Sequence, residues 1–539
     1  MKEILKENKY LIILWVLCIL GLIFFCGHYS GILIDFGREV YYPEQILNGK
    51  VLYRDLFNIY GPLAYQINAL LYAVFRAKLS TLYCSGIICS LLTVSGIYLI
   101  AQKFLSKFLS FALGFFTIAT GVTTTAIFNF HFPYSWAVLY GLTAFLFSLY
   151  FLLCFAENKK TSALCISSFL AGICITCKYD FLLYGLIILF FIIKEKNLKA
   201  FLSFLAAPFL SYGILFIQGL RFSDLINFFA VVKSMAKSKT LTYFYQNSGI
   251  YFHPKALLTD FVLFLKCAVP FSAILGGAYV FSKNKAGSIA LSLVGWLSFL
   301  WFFTENTKIA FGFLPLTLFI FALCSYKKFE PKLLILILSA LAAGAKVFWI
   351  LLIQSYGTYY ISILLTAFLV LLFKYIPDKL EKTAAIYLIT AGLLIFIQNY
   401  NMLIFPQYKI STDRGTIYTQ KIYAESTNQL IKYLKNTKGN AVIFPEGMTV
   451  NFLAGVKSDD YYNSLLPLYI ETFGEEKIID RYRKNPPEYI IFNNLNMKDY
   501  YFQYICQDYA LDFCGFVKEN YNPEKIIDTG FRYTIFKHK

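Results

Sequence analysis

Long apolar runs recur along the chain from Leu11 to Gln398, each close to the roughly 20 residues that cross a bilayer. Short basic segments interrupt them: Lys2–Lys9, Gln102–Lys107, Glu157–Lys160, Lys194–Lys199, Lys283–Lys285, Tyr326–Lys332 and Lys374–Lys382. Lysine-bearing loops of this kind mark the cytoplasmic side of a membrane protein. Placing all of them on that side predicts spans near 10–27, 81–100, 108–127, 134–155, 163–179, 181–193, 198–217, 259–281, 287–303, 308–325, 333–354, 356–373 and 383–399. That is about thirteen transmembrane helices, and an odd number carries the chain's C-terminal part to the outer face. The first run has a basic flank but no small-residue cleavage site before Asp35, so it is expected to remain as an anchor.

One apolar segment is left over. Gly61–Phe75 has Pro62 in its first turn and a stripe of Leu63, Ile67, Leu70, Leu71 and Val74. At ~1.5 Å per residue it falls short of the ~30 Å hydrocarbon core, so it is expected to lie in the outer interface. Arg221–Lys237 is a second helix of the same kind, with Phe222, Leu225, Ile226 and Phe229 on one face. The pattern therefore leaves two long outer loops, 28–80 and 218–258.

Beyond Asn399 the composition turns polar. Asn440–Glu446, Glu488–Asn493 and Phe531–Phe536 read as buried strands, and Thr419–Lys435 as an amphipathic helix. The expected fold class is mainly α: a polytopic transmembrane bundle over 1–399, followed by a small extracytoplasmic α/β domain over 400–539.

Composition agrees. The 539 residues are 58% hydrophobic and 15% charged, against about 25% charged in a soluble domain. The net charge of +18 sits in short loops, which excludes nucleic acid as the partner and favours anionic lipid or lipid phosphate. Cys174 and Cys177 lie in an apolar helix without a second pair and read as packing residues. Cys506 and Cys514 are the cysteines of the polar part, and an oxidising compartment would allow them to bridge.

The most informative stretch is Asp35-Phe-Gly-Arg-Glu39, where an acid, a glycine and a base emerge just beyond the first span. An amphipathic segment ending at Asn48-Gly49 follows, then Val51–Asp55, then Tyr60-Gly-Pro62 opening the interfacial helix. This arrangement resembles the GT-C glycosyltransferases, specifically the branch of the protein O-mannosyltransferases and the lipid A aminoarabinose transferase. The resemblance runs through Asp35, Glu44-Gln-Ile-Leu-Asn-Gly49 and Tyr60-Gly-Pro62, and is best over residues 10–200.

The resemblance implies transfer of a sugar from a polyprenyl-phosphate carrier to an acceptor outside the cytoplasm, with Asp35 as the catalytic acid. It also implies a lysine at the outer end of the fifth helix, where Gly172-Ile-Cys-Ile-Thr-Cys-Lys178 stands. Lys178 is thus a candidate ligand of the donor phosphate, or a partner of Asp180. Arg38, Lys266 and Lys346 are further candidates, the last two because a charge inside a span usually faces a cavity or a partner. Glu39, Tyr60, His131, His253 and Glu305 are candidates for acceptor contacts or support.

The family often has a second acid where the fourth helix begins. Here the stretch is Phe128-Asn-Phe-His-Phe-Pro-Tyr134, which offers only His131 and leaves a divalent metal without its usual pair of hard oxygen ligands. The sequence marks no cofactor for certain and leaves a divalent metal open but unsupported. The expected partners are a polyprenyl-phosphate sugar donor, membrane lipids and an acceptor that is a lipid, a glycan or a protein. The expected location is the cell membrane, in a bacterium the inner membrane. A transporter or lipid flippase, or a non-catalytic subunit of envelope assembly, are the alternative readings.

Overall fold

The computed structural model describes residues 8–281, 283–437, 439–458 and 460–539. The basic residues Lys2 and Lys6 lie outside the described residues. Among those described, six helices are long and apolar enough to cross a membrane: Leu79–Ala101, Trp136–Asn158, Leu198–Ile217, Pro254–Val280, Lys285–Asn306 and Asp378–Met402. Shorter apolar helices pack with them, including Lys9–Phe25, Thr161–Cys177, Leu182–Lys194, Leu314–Ser325, Pro331–Ala343 and Ile361–Phe373. Lipid-like exposure is evident in Ile217, Phe209 and Ile193, which are 87%, 81% and 72% exposed, while small residues such as Ala171, Ala207 and Ser211 pack inward.

Two predicted spans end early. The segment expected over 108–127 is helical over Lys107–Thr117, continues as a π-helical turn over Ile118–Val122, and then leaves helical geometry. The segment expected over 333–354 ends at Ala343 and gives way to a 3-10 turn, Ala345–Val347, and an irregular run. Lys346 is therefore in a connection and not inside a span, which corrects the expectation for it. The apolar residues Ile350, Leu351 and Ile353 are buried in protein. Their backbone is satisfied by the neighbouring turn: Leu351 N–H donates to Gly312 C=O at 2.9 Å and Ile353 N–H to Lys308 C=O at 3.0 Å.

Three of the predicted basic loops meet at one end of the bundle. Glu157 pairs there with Lys103 at 2.7 Å and Lys332 at 2.9 Å. The C-terminal segment sits at the other end. Its hairpin, β1 (Tyr408–Thr412) and β2 (Gly415–Thr419), is tied to the end of the first helix by Tyr29 N–H to Tyr418 C=O at 2.9 Å and Tyr418 N–H to Gly27 C=O at 2.8 Å. A second sheet contains β3 (Ala441–Phe444), β4 (Tyr489–Asn493), β5 (Tyr521–Asp528) and β6 (Arg532–His538), in the order β3-β4-β6-β5. β3 and β4 are parallel and the other pairs antiparallel. Cys506 and Cys514 form a disulfide.

The leftover helix forms as Leu63–Phe75. Gly61, at its start, lies against Thr176 so closely that a Cβ would come within 1.9 Å of that carbonyl oxygen. Past its end, Leu79 N–H donates to Arg414 C=O at 2.8 Å. Both ends thus stay at the bundle end that carries the C-terminal segment. Ala64, Tyr65, Asn68, Ala69 and Tyr72 are buried, while Leu70 and Val74 of the apolar stripe face outward. The helix expected over Arg221–Lys237 forms as Phe222–Met235.

A further helix, Lys239–Asn247, is pinned to the C-terminal segment by one side chain. Glu471 accepts from Ser238 Oγ and Thr240 Oγ1, both at 2.5 Å, from Lys239 N–H at 2.8 Å and from Thr240 N–H at 3.0 Å. Burial pushes this carboxyl up, but the bonds from Ser238 and Thr240 outweigh it and hold Glu471 down at about 2. A carboxylate depressed on folding stabilises fully above its unfolded value, ~4.3, and loses that contribution as pH falls through about 2. Glu471→Ala is expected to remove roughly 1 kcal/mol, on the scale of a lost helix cap discounted for solvent screening. Limited proteolysis at neutral pH should then cut within 236–250; an unchanged cleavage pattern would mean the helix is held by other contacts.

Candidate functional site

Asp35 follows the first helix and precedes the helix Phe36–Leu47, with a backbone φ of +59° and ψ of −34°. Few L-residues adopt this region, and holding one there costs of order 1–3 kcal/mol. Gly37 permits the close approach that follows: a Cβ there would lie 2.5 Å from Thr449 N, at the start of the helix Met448–Ala454. The first loop and the C-terminal segment are thereby packed directly together.

One turn on, Arg38 is the hub of the cluster. Its Nη2 lies 3.0 Å from Asp35 Oδ1 and donates to Tyr134 C=O at 3.2 Å. Its Nε donates to Glu39 Oε1 and to Tyr65 Oη, each at 3.0 Å. Glu39 has no exposed surface; it also accepts from Tyr65 Oη and from Trp136 N–H, each at 2.8 Å. Glu39 therefore fixes the guanidinium and the start of the helix Trp136–Asn158 and is sealed from any ligand.

Lys178 terminates the helix Thr161–Cys177. Its Nζ donates to Tyr134 Oη at 2.7 Å and stands 4.4 Å from the centre of the Tyr60 ring. Arg38 stands over the same ring at 5.0 Å. Tyr60 is thus a shared floor for two cations, a geometry favoured by the ring quadrupole. Its backbone is pinned by Tyr53 Oη and Asn58 Nδ2, which donate to its carbonyl at 2.7 and 2.8 Å.

Asp180 joins the second lysine to the first. Its Oδ2 is 3.6 Å from Lys178 Nζ and 3.5 Å from Lys346 Nζ. Lys346 also lies 4.2 Å from the centre of the Tyr356 ring. These groups occupy connections beyond the helix ends. Burial pushes Asp180 up, yet Lys346 and Lys178 outweigh it and hold it low. Burial pulls Lys178 down to about 7, against the attraction of Asp180. Lys346 is raised because Asp180 and Tyr245 more than offset its burial.

Asp35 and Asp180 each keep 27% of their side-chain surface open and Lys346 keeps 17%, whereas Lys178 keeps 2%. The arrangement is a tyrosine-walled site with Asp35 and Arg38 at one side and the lysine–aspartate–lysine bridge at the other. It suits an anion held beside a proton acceptor.

The C-terminal segment supplies a residue that the sequence reading did not single out. Asp35 N–H donates to Glu446 Oε2 at 3.3 Å. The signal was an acid in Phe444-Pro-Glu-Gly447, just past a buried strand. Tyr65, Tyr134 and Tyr356 also had no sequence mark beyond the general abundance of tyrosine.

Other candidates are placed elsewhere. Lys266 is half-buried in the helix Pro254–Val280, 5.0 Å from the centre of the Phe302 ring. His253 caps that helix, its Nδ1 accepting from Ala256 N–H at 3.3 Å. Glu305 is exposed in the last turn of Lys285–Asn306. His131 is fully buried, with Nδ1 3.4 Å from Tyr29 Oη and Nε2 3.3 Å from Thr124 O, a structural setting. Among the described residues no group of three or more His, Cys, Asp or Glu side chains is gathered as a metal centre.

No protein-family model matches the chain, and no curated protein matches it. Among solved structures it is similar to the oligosaccharyltransferase of Archaeoglobus fulgidus in complex with zinc and sulfate, with 13% identity and a TM-score of 0.47 over 90% of this chain and 68% of that one. It is also similar to ArnT from Cupriavidus metallidurans bound to undecaprenyl phosphate, with 11% identity and a TM-score of 0.46 over 98% and 97% of the two chains.

Proposed function

We propose that this chain is a membrane glycosyltransferase that moves a sugar from a polyprenyl-phosphate donor to an acceptor lipid, glycan or protein at the outer face of a cell membrane, in a bacterium the inner membrane. The observation that carries the reading is the convergence of Asp35, Arg38, Lys178 and Lys346 on one tyrosine-walled site at the C-terminal-segment end of an apolar helical bundle. A carrier phosphate at that depth meets cations where its charge develops. Asp35 takes the proton of the acceptor hydroxyl as that oxygen bonds to the sugar carbon. The bond from the sugar to phosphate breaks, and its electron pair leaves with the polyprenyl phosphate, next to Lys178 and Lys346. Arg38 holds Asp35 in place.

In this reading the bundle is residues 1–399, the extracytoplasmic α/β domain is 400–539, and the lysine loops face the cytoplasm. Single-cysteine labelling should then reach positions 35 and 221 and the 400–539 domain from outside, and positions 159, 283 and 327 only after permeabilisation; outside labelling at position 103 would overturn the threading. For the activity, a deletion strain should lack a glycosyl residue from its envelope glycans by mass spectrometry and accumulate the polyprenyl-phosphate sugar. Unchanged glycans and carrier pools would contradict it.

A further inference from the structure

Glu446 stands just past the end of β3 and is 6% exposed. One contact of its own and one of its neighbour Thr449 tie this stretch to the first loop. Its Oε2 accepts the Asp35 N–H at 3.3 Å. Two residues on from Gly447, Thr449 donates its hydroxyl to Ile32 C=O at 2.5 Å. Its own backbone is fixed by Asn493 Nδ2, which donates to Glu446 C=O at 2.8 Å. The remaining oxygen, Oε1, lies 3.5 Å from Ser464 Oγ. Among the described residues no cation forms an ion pair with Glu446, since the nearby guanidinium of Arg38 is engaged by Asp35 and Glu39.

We infer that Glu446 is a positioning residue of the active site: its carboxyl holds the Asp35 backbone in its left-handed turn, and its charge state controls how well an anionic carrier phosphate binds there. This deepens the glycosyltransferase reading and rests on it for the identity of the anion. The groups that face the Glu446 carboxyl are Asp35 and Arg38 from the first loop, Ser464 and Tyr469 from the segment after it, and Tyr500 and Tyr509 from the loop beyond β4. Burial pushes Glu446 up to about 8, Asp35 adds to that, and Arg38 only partly offsets it. The group is thus neutral at neutral pH and becomes a second negative charge beside Asp35 as pH rises through about 8. An anion bound nearby must weaken in affinity over the same interval, by linkage.

Two measurements on the full chain in nanodiscs test this separately. Infrared titration from about pH 6 to about pH 10 should show a protonated carboxyl band that is lost near pH 8 in the wild type, absent in Glu446→Gln, and shifted to lower pH in Asp35→Asn. If no such band titrates, or if Glu446→Gln retains it, the inference fails whatever the chain's substrate. Lys178, held down at about 7, loses charge over the same interval in both forms, so binding of a polyprenyl phosphate should weaken on the order of tenfold more in the wild type than in Glu446→Gln, whose amide oxygen can still accept the Asp35 N–H. Equal pH dependence in both would overturn the gating role. A wild type that binds no polyprenyl phosphate at any pH, yet shows the infrared titration, would sink the glycosyltransferase reading and the proposed gating of carrier binding, leaving the positioning of Asp35. For transfer, Glu446→Ala should lower kcat on the order of tenfold, as expected for loss of one hydrogen bond to a buried group, with part regained in Glu446→Gln.

Discussion

Asp35→Asn is expected to lower sugar transfer on the order of 10²-fold or more, while expression, membrane insertion and carrier binding stay close to wild type. The substitution keeps shape and the ability to accept one bond from Arg38 Nη2, which now lies 3.0 Å from the carboxylate. It removes the proton acceptor. Folding should survive because Asp35 is at a loop, with 27% of its side chain open, and its structural tie to Glu446 runs through the backbone N–H that asparagine retains. Asparagine also tolerates positive φ, so the turn is not lost with the charge. The same variant separates an enzyme from a non-catalytic envelope subunit, in which the substitution would be silent.

The second large effect is expected at Lys178. Lys178→Ala should reduce kcat/KM for the polyprenyl-phosphate donor on the order of 10²-fold, the scale of removing one preorganised donor to developing charge. Lys178→Arg should regain part of it, since either cation meets phosphate, though the larger guanidinium must fit between Tyr60 and Tyr134. Lys346→Ala should cost less, about tenfold, because Lys178 remains to pair with Asp180 and phosphate alike. Loss of thermal stability with unchanged kcat/KM in Lys178→Ala would reduce this lysine to a prop for Asp180 and Tyr134.

Most helices were legible because an apolar run bounded by lysines has one common cause, a span. The reading failed where apolarity had another cause. Val347-Phe-Trp-Ile-Leu-Leu-Ile353 looks like the continuation of a span, but its residues are apolar because protein surrounds them, and its backbone bonds to 308–312 in place of a helix. Edge strand β5 gave no signal, since five of its eight residues in a row are exposed and no alternation survives. Hairpin β1–β2 buries Ile410, Ile417 and Thr419, too little to register as a pattern.

The site was legible only where it is local. Asp35, Arg38, Glu39 and Tyr60 share one loop, and Lys178 with Asp180 closes one helix. Lys346 was noticed as a charge among apolar residues, though for the wrong reason, since it lies in a connection and not within a span. Glu446 is separated from Asp35 by 411 residues, and no spacing rule reaches across that distance. The tertiary fold alone brings the two carboxyl groups together.

The central claim is tested most directly by reconstituting the purified chain in liposomes with a radiolabelled polyprenyl-phosphate sugar and following release of free polyprenyl phosphate together with label transferred to envelope acceptors. The account predicts that both appear in equal amounts with the wild type and that both fall on the order of 10²-fold or more in Asp35→Asn, with the labelled carrier still bound. Transfer at the wild-type rate by Asp35→Asn, or movement of intact labelled carrier across the bilayer without cleavage, would contradict it.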